Sequence, residues 1–196
     1  PAKKPLAGPR KTEFLPPGAP RAREVFCSAA LNRPPNIAHE RSKTMPFDFK
    51  KEYREFYLPK GTPEIVTVPP ANYIAVRGGG DPNEAGGAYQ QALAVLYAVA
   101  YTLKMSYKTD YRIEGFYDYV VPPLEGFWWQ EGTEGIDYAD KSGFCWLSVL
   151  RLPDFITRAD FDWAAETASR KKKLDCSATE FLTIEEGLCV QMLHLG

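Results

Sequence analysis

The sequence predicts an α+β protein built as a tandem repeat whose second repeat stops before it is finished, and three observations carry that prediction. Short runs rich in aromatic and β-branched residues are interspersed with helical patterns, one of them long and apolar. Similar patterns recur at a fixed separation: Phe47-Asp48-Phe49 returns as Phe161-Asp162-Trp163, 114 residues on, and Thr67-Val68 returns as Thr183-Ile184, 116 residues on. At the second offset, residues 189–192 match 73–76, and Gly196, the last residue, matches Gly80. The first unit continues past Gly80 with a long helix and two strands. On this reading residues 1–44 form a disordered or artefactual tail, 45–156 the first module, and 157–196 the start of a truncated second module.

Composition bounds the class. A chain of 196 residues suits one domain or two small modules, and 44% apolar with 13% aromatic residues weighs against disorder. Cys27, Cys145, Cys176 and Cys189 form no Cys-x-x-Cys pair, and two lie in apolar, strand-like runs. That pattern predicts free buried thiols in a reducing compartment rather than a disulfide frame or a zinc site. The N-terminus lacks a charged lead into an apolar signal core, and the longest apolar run covers residues 92–101. A bilayer span needs about 20 residues, so the expectation is a cytoplasmic protein without membrane contact. Residues 1–44 hold nine Lys/Arg against three Asp/Glu, which leaves 15 against 22 in the rest. An acidic body argues against nucleic acid as its partner.

The elements follow in order. Residues 1–44 hold eight of the 17 prolines and show no period. Met45 then reads as the natural start. Aromatics at 49, 53, 56 and 57 predict a helix over 47–57, and residues 65–68 and 72–77 read as strands. Gly78-Gly79-Gly80 reads as a flexible strand-to-helix turn, because no Gly-Lys-Ser/Thr follows to make it a phosphate cradle. Asp81, Pro82 and Glu84 have the spacing of a helix start, and the helix is predicted to run buried to about residue 104. Residues 112–121 and 144–152 read as strands, with a long loop over 122–141 carrying Phe127-Trp128-Trp129. Basic residues at 170–173 suit the negative end of a helix.

Three segments carry a resemblance. They are Pro122-Pro123-Leu124-Glu125-Gly126-Phe127-Trp128-Trp129, then Leu150-Arg151-Leu152-Pro153-Asp154-Phe155-Ile156-Thr157, and the run from Glu185 to Gly196 (EEGLCVQMLHLG). From Met45 to the end the chain resembles the GyrI-like small-molecule-binding domain family, most closely its stand-alone branch, which includes cyclopropanoid cyclopropyl hydrolases. The resemblance implies tandem strand–helix–strand–strand modules with antiparallel sheet, related by a pseudo-twofold axis, and a ligand groove between the halves. It implies planar, hydrophobic or cationic ligands. Members include effector domains of transcription regulators and a gyrase-inhibiting protein, while the stand-alone branch opens cyclopropane rings inside an aromatic cage. A groove-facing glutamate of the second module has no counterpart here.

Candidate site residues follow from chemistry and repeat position. Adjacent Trp128 and Trp129 cannot both enter one core from a strand, so with Phe127 they either line a groove or cap the helix–sheet core. Tyr117 and Tyr119 share one face of the predicted strand, with Asp118 on the other; Asp118 is the nearest repeat counterpart of the absent acid, or a solvated carboxylate. Glu125, in the same loop, would hold a ligand cation or polarise a water, or is simply a solvated loop carboxylate. His39 and His194 are the only histidines and assemble neither a catalytic triad nor a metal site. No cofactor or metal is expected. The expected function is binding of planar drugs or xenobiotics, with two alternatives: hydrolysis of a strained ring in the same cage, or a protein-interaction or effector role. The apolar run 188–195, left without a covering helix, predicts self-association through the truncated second module.

Overall fold

The computed structural model describes residues 45–133 and 135–193. The tail 1–44, Cys27, His39 and the last three residues, including His194, lie outside them. Among the described residues four α-helices, two single 3-10 turns and six strands are interspersed along the chain, giving an α+β fold with antiparallel sheets. Two four-residue helices open it, α1 (Phe49–Glu52) and α2 (Arg54–Tyr57). Asp48 caps α1, accepting the Lys50 amide at 3.1 Å, and the helical line breaks at Tyr53.

Strands β1 (Glu64–Val68) and β2 (Ala71–Gly79) follow, then the helix α3 (Ala88–Lys104). Asp81 does not cap that helix. Its carboxylate accepts the Asn83 amide at 2.9 Å in an Asx turn, and Gly86 then takes a left-handed φ of 71° before Gly87 starts the helix. Nor are the three glycines all turn: Gly78 and Gly79 belong to β2. The Trp146 indole lies over Gly78, where a Cβ would sit 2.2 Å from the ring, so only glycine fits.

The predicted strand over 112–121 does not form. Gly115 turns left-handed at φ 71°, and Pro122-Pro123 end the segment, leaving only an isolated bridge between Phe47 and Tyr119. The loop predicted over 122–141 is instead strand β3 (Leu124–Gln130) at its start. Its aromatics favour a pleated surface, and it pairs along its length with β4 (Phe144–Arg151), setting Trp128 opposite Trp146. Helix α4 (Arg158–Lys172) begins with a capping box between Thr157 and Asp160. The helix therefore opens before Phe161, and Asp162 is not the counterpart of the capping Asp48. Strands β5 (Glu180–Ile184) and β6 (Gly187–Gln191) complete the described chain.

The larger sheet has the order β3-β4-β2-β5, and β1 pairs with β6 in a separate two-stranded sheet. Helices α3 and α4 cover one face of the larger sheet, burying Ile74, Val76, Trp146 and Leu150 beneath Leu96, Val99, Phe161 and Ala164. The strand part of the repeat holds residue by residue. Val68 pairs with Gly187 and Ile184 with Ala71; Glu64 pairs with Gln191 and Glu180 with Ala75. Shifting each β1 residue forward by 116 (Val68 to Ile184) and each β6 residue back by the same step converts every pair of one ladder into a pair of the other. The two ladders are related as by a pseudo-twofold.

Candidate functional site

The pleat of β3 decides which aromatic goes where. Leu124 and Trp128 point to the helix-covered side, and Glu125, Phe127 and Trp129 point to the other. Trp128 packs 5.2 Å from Tyr89 and 6.0 Å from Phe144 by ring centroids. It also lines a recess of about 190 Å³ with Tyr138, Phe144 and Lys141 at the end of the sheet.

On the opposite face, half-buried Phe127 and Trp129 lie against Tyr73, Ala75, Leu147, Val149, Leu182 and Ile184. Glu125 shares that face and is only 3% exposed. Burying a carboxylate costs several kcal/mol unless polar partners meet it. Tyr57, at the end of α2, brings its hydroxyl to within 3.5 Å of Glu125 Oε1. Arg151 ends β4 opposite Tyr73, 2% exposed, its guanidinium 5.3 Å from the Phe49 ring and 5.1 Å from the Tyr53 ring. Burial pushes the Tyr53 hydroxyl pKa up, with Arg151 opposing. The Trp129 indole nitrogen is buried and meets no acceptor among the described residues.

The structure thus brings three of the seven sequence candidates, Glu125, Phe127 and Trp129, onto one surface. Tyr119 is 2% exposed and reaches that surface only through Tyr57, with which it shares a cluster containing Phe49. Tyr117 belongs to the same cluster, its ring 5.5 Å from Phe47 and 4.7 Å from Phe155, and burial followed by the nearby Asp154 raises its hydroxyl to about 12. Asp118 faces outward and pairs with Lys104 at 2.9 Å. Trp128 sits behind the sheet. Sequence reasoning missed Tyr57 and Arg151. Arg151 had a signal, a lone charge at the end of an otherwise uncharged strand; Tyr57 was one aromatic among several in a helical run.

Solved structures give the chain its relatives. A protein from Listeria innocua described as a hydrolase is 48% identical, superposes with a TM-score of 0.72, and matches 78% of this chain and 73% of its own. An uncharacterized conserved protein from Listeria innocua is also 48% identical, with a TM-score of 0.70 over 76% of this chain and 72% of its own. A further Listeria innocua hydrolase is 46% identical, with a TM-score of 0.67 over 76% and 74%. No protein-family model and no curated protein matches the chain.

Proposed function

The chain belongs to the family of these Listeria innocua proteins, and from that premise we propose that it binds planar hydrophobic or cationic small molecules and hydrolyses a strained ring in them. One observation carries the reading: a buried carboxylate, Glu125, on the same sheet face as two half-buried aromatic rings, Phe127 and Trp129. The rings offer π-faces for stacking and for a cation, an attraction of about 0.5–2 kcal/mol. Glu125 has the chemistry to orient and polarise one water, with the Tyr57 hydroxyl fixing the carboxylate. The resemblance to the GyrI-like family supports the ligand class, and the description of two relatives as hydrolases favours turnover over binding alone.

The test uses two readouts. Titration with rhodamine 6G, a planar hydrophobic cation, is followed by tryptophan fluorescence. Incubation with a cyclopropane-bearing alkylator is followed by mass spectrometry for a product heavier by one water. Glu125→Gln keeps the shape of the site and removes the base, so binding of an uncharged ring should survive while turnover falls by roughly 10²–10⁴-fold. Full turnover in Glu125→Gln would remove the carboxylate from the mechanism. Absence of ring-opened product in the unaltered protein, with binding intact, would leave a binding protein.

A further inference from the structure

Two charged side chains are almost wholly buried on the sheet face that carries Phe127 and Trp129, Glu125 at 3% and Arg151 at 2% exposure. The ladders set them close together. Glu125 stands opposite Val149, and Arg151 lies two residues further along β4 on the same face, so the two are diagonal neighbours on adjacent strands. A diagonal pair is within reach of a side chain as long as arginine. The α1–α2 segment roofs both groups with Phe49, Tyr53 and Tyr57, which recur at every fourth position. The first two rings lie 5.3 Å and 5.1 Å from the guanidinium, and the Tyr57 hydroxyl lies 3.5 Å from Glu125 Oε1. Burial drives an isolated carboxyl towards its neutral form, and a neutral acid cannot take a proton from water; a permanently charged guanidinium beside it reverses that preference.

Resting on the function proposed above, we propose that Arg151 is a positioning residue for Glu125: it keeps the buried carboxylate ionised and fixes its direction beneath the α1–α2 roof. At 2% exposure, with the Phe49 and Tyr53 rings against it, the guanidinium acts through Glu125 and not on the ligand. Arginine suits this place better than lysine would, because its planar head stacks on rings and offers a fork of donors to a carboxylate. The phenols at this end of the sheet, Tyr53, Tyr57, Tyr73 and Tyr119, belong to a residue type that is protonated below pH 9 and supplies no cation. Asp154, whose charge acts on Tyr53, is exposed. Glu186, half-buried just after β5 at the same end, is the rival partner for Arg151.

Carboxyl NMR of the chain isotopically labelled at the glutamate side-chain carboxyl carbon reads the ionisation directly, and the resonance missing from Glu125→Gln is that of Glu125. In the unaltered chain its midpoint should lie below about pH 5, in spite of burial. Arg151→Gln should raise the midpoint by at least about one pH unit, and Arg151→Lys, which keeps the charge without the fork, by less. A purely structural arginine would lower stability in both variants and leave the midpoint where it was. A midpoint above about pH 5 in the unaltered chain would overturn the proposal with no variant needed, so a glutamine variant that fails to fold does not shield it. A folded Arg151→Gln with an unmoved midpoint would overturn it too and hand Arg151 to Glu186. The proposed activity stands or falls separately. Shifts as expected without ring-opened product would sink the hydrolase reading and keep the pair, whereas turnover with an unmoved midpoint would do the opposite.

Discussion

A single peptide step separates Trp128 from Trp129, and the pleat turns that step into two environments. Trp128 is held between Tyr89 and Phe144 on the helix side, so its removal opens a gap in packed rings. Trp129 lies half-buried over Leu147 and its neighbours on the opposite face, beside Glu125. The two alanine variants should therefore fail in different assays. Trp128→Ala should lose about 2–4 kcal/mol of stability in urea unfolding, toward the lower end for tryptophan truncation because the ring is half-buried. Trp129→Ala should unfold nearly as before and bind rhodamine 6G about 5- to 100-fold more weakly, as expected for one lost stacking partner worth ~1–3 kcal/mol. Equal loss of stability in both, with binding unchanged, would make both indoles structural. The sequence stated that adjacent tryptophans diverge; it held no information on which one meets the helices, because both faces of β3 pack against apolar neighbours.

Among the elements, those with a single strong period were legible and those set by long-range pairing were not. Helix α3, strand β2 and strand β4 stand close to where apolar runs placed them, because burial on the sheet's helix side demands continuous apolar character. The segment with Tyr117 and Tyr119 has strand composition, but Gly115 turns it left-handed and Pro122-Pro123 end it, and β3 rather than this segment pairs with the outer side of β4. Its aromatics instead build a loop cluster with Phe47, Phe49 and Phe155. The glycine run was misread for a similar reason: what demands Gly78 is Trp146, 68 positions along the chain and directly opposite it in the ladder. Gly78→Ala forces a methyl into the buried indole, and strain of that kind costs about 1–3 kcal/mol. Thr157→Ala removes the hydroxyl that caps α4 and the acceptor for the Asp160 amide, at a cost of about 1 kcal/mol. Thermal melts should rank Gly78→Ala below Thr157→Ala, and both below the unaltered chain. A Gly78→Ala protein as stable as the parent would show that the indole moves aside freely.

Across the whole molecule, tyrosines do much of the joining. Tyr57 and Tyr119 tie the first helices to the segment before β3, and Tyr117 closes the same cluster against Phe155. Tyr111 stacks on Trp163 at 4.0 Å and donates to Asp160 at 3.0 Å, linking that segment to α4. Burial is the leading cause of a raised hydroxyl pKa at Tyr53, Tyr97, Tyr111, Tyr117 and Tyr119, with Tyr117 reaching about 12. In the unfolded chain each returns to about 10. Below pH 9 both states keep these protons and stability does not depend on them. Above pH 10 the unfolded chain sheds protons that the folded chain still holds, so it binds fewer, and unfolding becomes more favourable with each further step in pH. The loss continues until the folded hydroxyls ionise, near pH 12 for Tyr117. Urea midpoints should thus stay level through pH 8–9 and fall steadily beyond pH 10. Tyr117→Phe removes one of these protons from both states and should flatten the fall without moving the plateau. A midpoint that holds level past pH 11 would mean that these hydroxyls already reach water in the native state and that the joints are looser than their packing indicates.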